Sequence, residues 1–125
     1  MIKGIHHVSI RCGTEETAAK VKQFYTEVLG LPIKRDFGMG AMYDTGNGLI
    51  EVFFNRDAPT EAGAVQHFAL ATDNVDEDIE KIRNAGYTVT VEPRDGVLGD
   101  DPPYPIRVAF CIGPVGETIE LFQER

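Results

Sequence analysis

Apolar and polar side chains alternate over residues 4–12 and Gly13 closes the run, a pattern that predicts a strand. The period then lengthens. Behind Thr14, a capping residue type, and an acidic first turn, Ala18, Val21, Phe24, Tyr25 and Val28 recur at helical spacing until Gly30 and Pro32 stop them. Strands are predicted next over 31–36, 41–44 and 48–55, divided by Gly38-Met39-Gly40 and by a turn ending in Asn47-Gly48, a strong hairpin signal.

The second half repeats this order: a strand over 65–72, then a helix from about Val75 with Ile79, Ile82 and Ala85 on one face and Gly86 as terminator. Strands follow over 88–92, 106–112 and 118–123. Residues 94–105, dense in proline, glycine and acid, are predicted as a long loop, of a length that often serves as a functional lid. The polar stretch 57–63, with Pro59 and Gly63, is the expected linker. One module of about 1–56 and another of about 64–125 would then make up a single domain over 1–125.

Composition narrows the class. The 42% hydrophobic content of the 125 residues is enough for one ordinary core. No apolar stretch approaches the roughly 20 residues of a spanning helix, and the first residues lack the pattern of an export signal, so a soluble cytoplasmic protein is expected, with no membrane partner. The net charge of −8 argues against nucleic acid. An anionic substrate would need local cations, for which Arg11, Lys34, Arg35, Arg56, Arg94 and Arg107 are available. The two cysteines, Cys12 and Cys111, are expected to be reduced, and Cys111 reads as a small core residue.

The candidate chemistry repeats with the elements. His7 and Glu51 in the first half, then His67 and Glu120 in the second, each lie inside a short apolar strand. Side chains alternate faces along a strand, so His7 shares a face with Ser9 and Arg11, and Glu51 shares one with Phe53 and Asn55. Each of the four therefore stands opposite an apolar stripe. A lone strand acid is usually solvated and a lone strand histidine usually packs with one satisfied nitrogen; the joint repetition points instead to one metal, because a buried acid is costly unless it is compensated. Imidazole and carboxylate suit zinc, nickel, cobalt, manganese or iron, and no thiolate is required. His6, placed by alternation beside Val8 and Ile10, reads as structural.

The runs Ile5-His6-His7-Val8-Ser9-Ile10, Phe24-Tyr25-Thr26-Glu27-Val28-Leu29-Gly30-Leu31, Leu49-Ile50-Glu51-Val52, Gln66-His67-Phe68-Ala69-Leu70 and Gly113-Pro114-Val115-Gly116-Glu117-Thr118-Ile119-Glu120-Leu121-Phe122 resemble the vicinal oxygen chelate superfamily, which includes glyoxalase I. That resemblance implies an α+β fold in which two βαβββ modules form a curved mixed sheet around a metal cleft. It also implies a homodimer. The order His, Glu, His, Glu at His7, Glu51, His67 and Glu120 is similar to glyoxalase I and related proton-moving enzymes. Ring-cleaving and fosfomycin-modifying members generally use two histidines and one glutamate, and antibiotic-sequestering members lack the ligands. Arg11 and Asn55 match positions that hold glutathione in glyoxalase I. Gly113-Pro114-Val115-Gly116 stands where that branch usually has Asp-Pro-Asp-Gly.

The resemblance implies one divalent ion per site, nickel, zinc or cobalt, and a small-molecule substrate with two adjacent oxygens, such as the hemithioacetal of methylglyoxal with glutathione or another thiol. Glu120 is the expected base and Glu51 the alternative. Two other readings stay open: an epimerase, isomerase or lyase acting on a sugar or 2-oxo acid, and a non-catalytic binder of an antibiotic or similar molecule. A ring-cleaving dioxygenase is less favoured.

Overall fold

The computed structural model describes residues 1, 3, 5–54, 67–98 and 100–125. The linker expected at 57–63 lies outside the described residues. The chain divides into two compact units, Met1–Thr60 and Glu61–Arg125.

The first unit runs β1 (His7–Arg11), α1 (Glu15–Gln23), β2 (Ile33–Asp36), β3 (Gly40–Asp44) and β4 (Leu49–Phe53). The second runs β5 (Phe68–Ala71), α2 (Val75–Asn84), β6 (Val89–Leu98), β7 (Tyr104–Ile112) and β8 (Thr118–Glu124). Each forms a four-stranded mixed sheet, in the orders β1-β4-β3-β2 and β5-β8-β7-β6. The first strand of each unit lies at an edge, parallel to the last, because the helix supplies the crossover that a parallel pair requires. This α+β architecture of two βαβββ modules is the one the sequence pattern implies.

Both helices start on a side-chain cap. The Thr14 hydroxyl accepts from the Thr17 amide at 3.1 Å, and the Asn74 carbonyl oxygen accepts from Glu77 N–H at 3.1 Å. The first helix does not continue as one regular α-helix to Gly30. From Phe24 to Val28 it widens into a π-helical turn, with Leu29 N–H donating to the Phe24 carbonyl at 2.9 Å. There the Thr26 hydroxyl donates to the Lys22 carbonyl at 2.6 Å, competing with the regular ladder. Gly30, at φ +71°, then ends it.

Each apolar stripe is buried as alternation requires. Ile50 and Val52 face away from Glu51 and join Val21, Phe24, Tyr25, Ala41 and Tyr43 in the core, where the Tyr25 and Tyr43 rings stack at 5.2 Å. In the second unit α2 packs on β6, β7 and β8, burying Val75, Ile79 and Ile82 together with Ala109, Cys111, Ile119 and Leu121. Each large apolar side chain buried this way contributes about 1.5–3 kcal/mol. Neither cysteine is in a disulfide, and both are buried.

One expected element is corrected. Residues 94–105 are not a long loop: β6 runs to Leu98 and pairs with β7 from Arg94↔Val108 out to Leu98↔Tyr104. Of the prolines that suggested a loop, Pro102 and Pro103 lie between the two strands, and Pro105, in β7, lies beyond the last β7–β8 pair, Ile106↔Glu124. Among the described residues no helix is long and apolar enough to cross a membrane.

Candidate functional site

The two His–Glu pairs are built by one rule of register. In the first unit Ser9 of β1 lies opposite Glu51 of β4, and His7 is two residues earlier on the same face. In the second unit Ala69 of β5 lies opposite Glu120 of β8, and His67 is again two residues earlier. Each imidazole thus leans from an edge strand towards a carboxylate on the neighbouring inner strand. His7 Nε2 lies 3.5 Å from Glu51 Oε1, and His67 Nε2 lies 2.9 Å from Glu120 Oε2.

Exposure follows position in the sheet. The side chains of Glu51 and Glu120 are 9% and 12% exposed, those of His7 and His67 37% and 33%. The neighbouring strands complete the rows: Met42 lies opposite Glu51, and Phe110 lies opposite Glu120 and meets the His67 ring edge-on at 5.3 Å. Phe110 was legible from its alternation on β7 but had not been marked as part of the site.

A carboxylate so largely withdrawn from water needs a compensating charge or donor, and an imidazole nitrogen with a carboxylate oxygen is a donor set that fits a borderline divalent cation. Each pair supplies two such donors. Among the described residues no group of three or more His, Cys, Asp or Glu side chains gathers into a metal-holding cluster.

The expected anion holders separate clearly. Arg11 is exposed on the His7 face and has no ion-pair partner among the described residues. Arg35 pairs with Met42, which pairs with Glu51, so it lies on the Glu51 face. Arg94 pairs with Val108, which pairs with Phe122, so it lies on the Glu120 face. Lys34 falls in the register shift of β2. Arg107 is committed elsewhere: it grips Asp76 through Nε at 2.6 Å and Nη2 at 2.7 Å and reaches Asp95 through Nη1 at 3.2 Å, which raises its pKa further above the ordinary value. It is therefore no free anion holder. Asn55 and Arg56 lie outside the described residues.

The turn before β8 is closed by Glu117. Its carboxylate accepts from Val115 N–H at 2.9 Å, its carbonyl accepts from Gly113 N–H at 2.8 Å, and Gly116 takes φ +86°. Glu120 follows three residues after this turn, on β8.

His6 was missed. Its ring Nδ1 lies 2.9 Å from Nδ1 of His7, with the two rings edge-on at 85°. Alternation places His6 beside Val8 and Ile10 and does not register this contact with the adjacent ring.

Two mixed sheets of one topology, each carrying a histidine and a glutamate on the face turned from its helix, define a class of paired βαβββ proteins. A family model described as Glyoxalase/Bleomycin resistance protein/Dioxygenase superfamily matches residues 4–101, and the chain belongs to that superfamily. Lactoylglutathione lyase GLX1 of Arabidopsis thaliana is 32% identical over 132 residues, covering 94% of this chain and 43% of that protein. The chain thus spans less than half the length of the curated relatives it matches. The fold is shared with a glyoxalase family protein from Enterococcus faecalis, at 24% identity and TM-score 0.70 over 96% of this chain and 97% of that one. It is shared also with the fosfomycin resistance protein FosX of Listeria monocytogenes, at 17% identity and TM-score 0.74 over 98% and 94%.

Proposed function

We propose that the protein is a metal-dependent lyase of the glyoxalase I kind, moving a proton within a substrate that presents two adjacent oxygens, such as the hemithioacetal of methylglyoxal and a thiol. The observation that carries this reading is the repeated register of the two His–Glu pairs. The likeness to lactoylglutathione lyase supports it. His7, Glu51, His67 and Glu120 together would hold one divalent nickel, zinc or cobalt ion, the pairs coming from one chain or from two copies in a homodimer. When bound, that ion supplies positive charge to the substrate oxygens as negative charge develops on them.

The remaining work falls to the chain's own groups. The Glu120 carboxylate takes the proton from the carbon bearing sulfur and oxygen, and the electron pair of the broken C–H bond passes into the adjoining carbonyl. Returning that proton to the former carbonyl carbon, while the hydroxyl proton passes from the oxygen beside sulfur to the neighbouring oxygen, leaves a 2-hydroxyacyl thioester with no net change in electrons. Glu51 is the alternative base. His7 and His67 hold their places beside the carboxylates. Arg11 binds a carboxylate of the thiol portion, and Asn55 an amide of it.

Elemental analysis of protein purified without added metal, followed by turnover of methylglyoxal with glutathione, tests the reading. Glu120→Gln is expected to cut isomerisation by about 10²–10⁴-fold with the far-UV dichroism unchanged; unaltered turnover would remove Glu120 from its role. Deuterium entering the product from heavy water, assayed over thiol adducts, sugars and 2-oxo acids, identifies the substrate class. Neither exchange nor rearranged product with any of them would count against proton transfer altogether.

A further inference from the structure

We infer that His6 is a positioning residue for the metal ligand His7: its Nδ1 accepts the Nδ1–H of His7 and so keeps the Nε2 lone pair of His7 available on the Glu51 side. The inference rests on the metal-binding reading of the two His–Glu pairs. Four observations carry it. The Nδ1–Nδ1 separation is 2.9 Å, a full hydrogen bond rather than a ring contact. The rings are edge-on at 85° with centroids 5.2 Å apart, which lets an N–H in one ring plane point at a lone pair in the other. His7 Nε2, not Nδ1, is the nitrogen that lies by Glu51 Oε1. The backbone from which the His6 ring projects is tied to the strand that carries Glu51, since the His6 carbonyl accepts from Leu49 N–H at 3.1 Å.

Only one tautomer satisfies both contacts of a ligating His7. A neutral imidazole has one N–H and one lone pair, so a ligand that binds through Nε2 must carry its proton on Nδ1 and needs an acceptor there. Ligating histidines are held in this way by the group at the second nitrogen, and loss of that group commonly weakens metal binding by about 10–100-fold. His6 supplies the acceptor from the adjacent residue. Its own proton then sits on Nε2.

Two substitutions separate this role from ring packing. His6→Phe keeps a ring of similar outline but has no acceptor. His6→Asn loses the ring but puts an amide oxygen close to the place of Nδ1. Nickel or zinc affinity, read by competition with a chromophoric chelator, is expected to fall about 10–100-fold in His6→Phe and to stay within about threefold of wild type in His6→Asn. Equal affinity in His6→Phe, or an equal loss in both variants, would overturn the inference. A second readout needs no metal: imidazole nitrogen shifts in the nuclear magnetic resonance spectrum should give the Nδ1–H tautomer of His7 in wild type and His6→Asn, and a shift towards Nε2–H in His6→Phe. An unchanged tautomer in His6→Phe sinks the role of His6. Failure of the wild-type protein to bind either metal while the tautomer responds sinks the metal-binding reading instead.

Discussion

At the scale of single residues, burial sets the chemistry of two groups that take no part in the site. The Tyr43 hydroxyl is buried with no hydrogen-bond partner among the described residues, and its pKa is pushed up to about 12, mainly by that burial, with Asp36 and Cys12 adding to it. Burial likewise pushes the Cys111 thiol up to about 12, with Glu117 adding to it. A folded pKa above the ordinary 10.0 or 9.0 means stability that is whole below those values and lost as pH rises towards 12. Tyr43→Phe keeps the ring stacked on Tyr25 and removes an unsatisfied polar atom, so it is expected to stabilise by roughly 1–3 kcal/mol at neutral pH. Its advantage should widen above about pH 10 in urea titrations. A variant less stable than wild type, or an advantage that shrinks with alkali, would contradict this account of the core.

The same scale shows how far single residues could be read in the chain. His7, Glu51, His67 and Glu120 stand out in the chain through a two-residue period and a repeat, and the structure sets His7 Nε2 3.5 Å from Glu51 Oε1 and His67 Nε2 2.9 Å from Glu120 Oε2. The contact of His6 was not legible, since alternation does not register which atoms of adjacent rings meet. Nor was the commitment of Arg107, which needs a helix acid 31 residues away in sequence.

That Arg107 contact belongs to the scale of elements, because it ties the first turn of α2 to β7. Asp76 is held below the usual carboxylate range, first by its hydrogen bonds from Arg107. Beside it, the Val75 amide donates to the Gln123 side chain on β8 at 3.3 Å. A depressed carboxyl pKa contributes stability above its ordinary value of 3.8 and loses it as pH falls through the folded value. Asp76→Asn should therefore lower the thermal midpoint at neutral pH, and the gap to wild type should close as the solution is acidified below about pH 4. A gap of constant size from neutrality down to about pH 3 would show that the ion pair is not its source.

Elements were the most legible level, and their misreadings share a cause. Both helices and all eight strands stand close to where periodicity put them. The hairpin at 94–105 reads as a loop because Pro102, Pro103 and the acids of its short connection dominate its composition, whereas the pairing of residues 94–98 with β7 is a long-range property that composition does not carry. The π-helical turn at Phe24–Val28 escaped for a similar reason, since apolar spacing does not register which carbonyl an amide chooses.

At the scale of the whole molecule the repeat is the governing fact. Two units of one topology, β1-β4-β3-β2 and β5-β8-β7-β6, place a histidine two residues before the partner of a glutamate. One His–Glu pair supplies two protein donors, fewer than the three that catalytic zinc sites take. The central claim is therefore that the four side chains share one cation. Anomalous X-ray diffraction from crystals grown with nickel or zinc tests it most directly. The account expects one strong peak at about 2.0–2.2 Å from Nε2 of His7 and His67 and from the Glu51 and Glu120 carboxylates, within one chain or across two. No peak, or one bonded to a single pair, would contradict it.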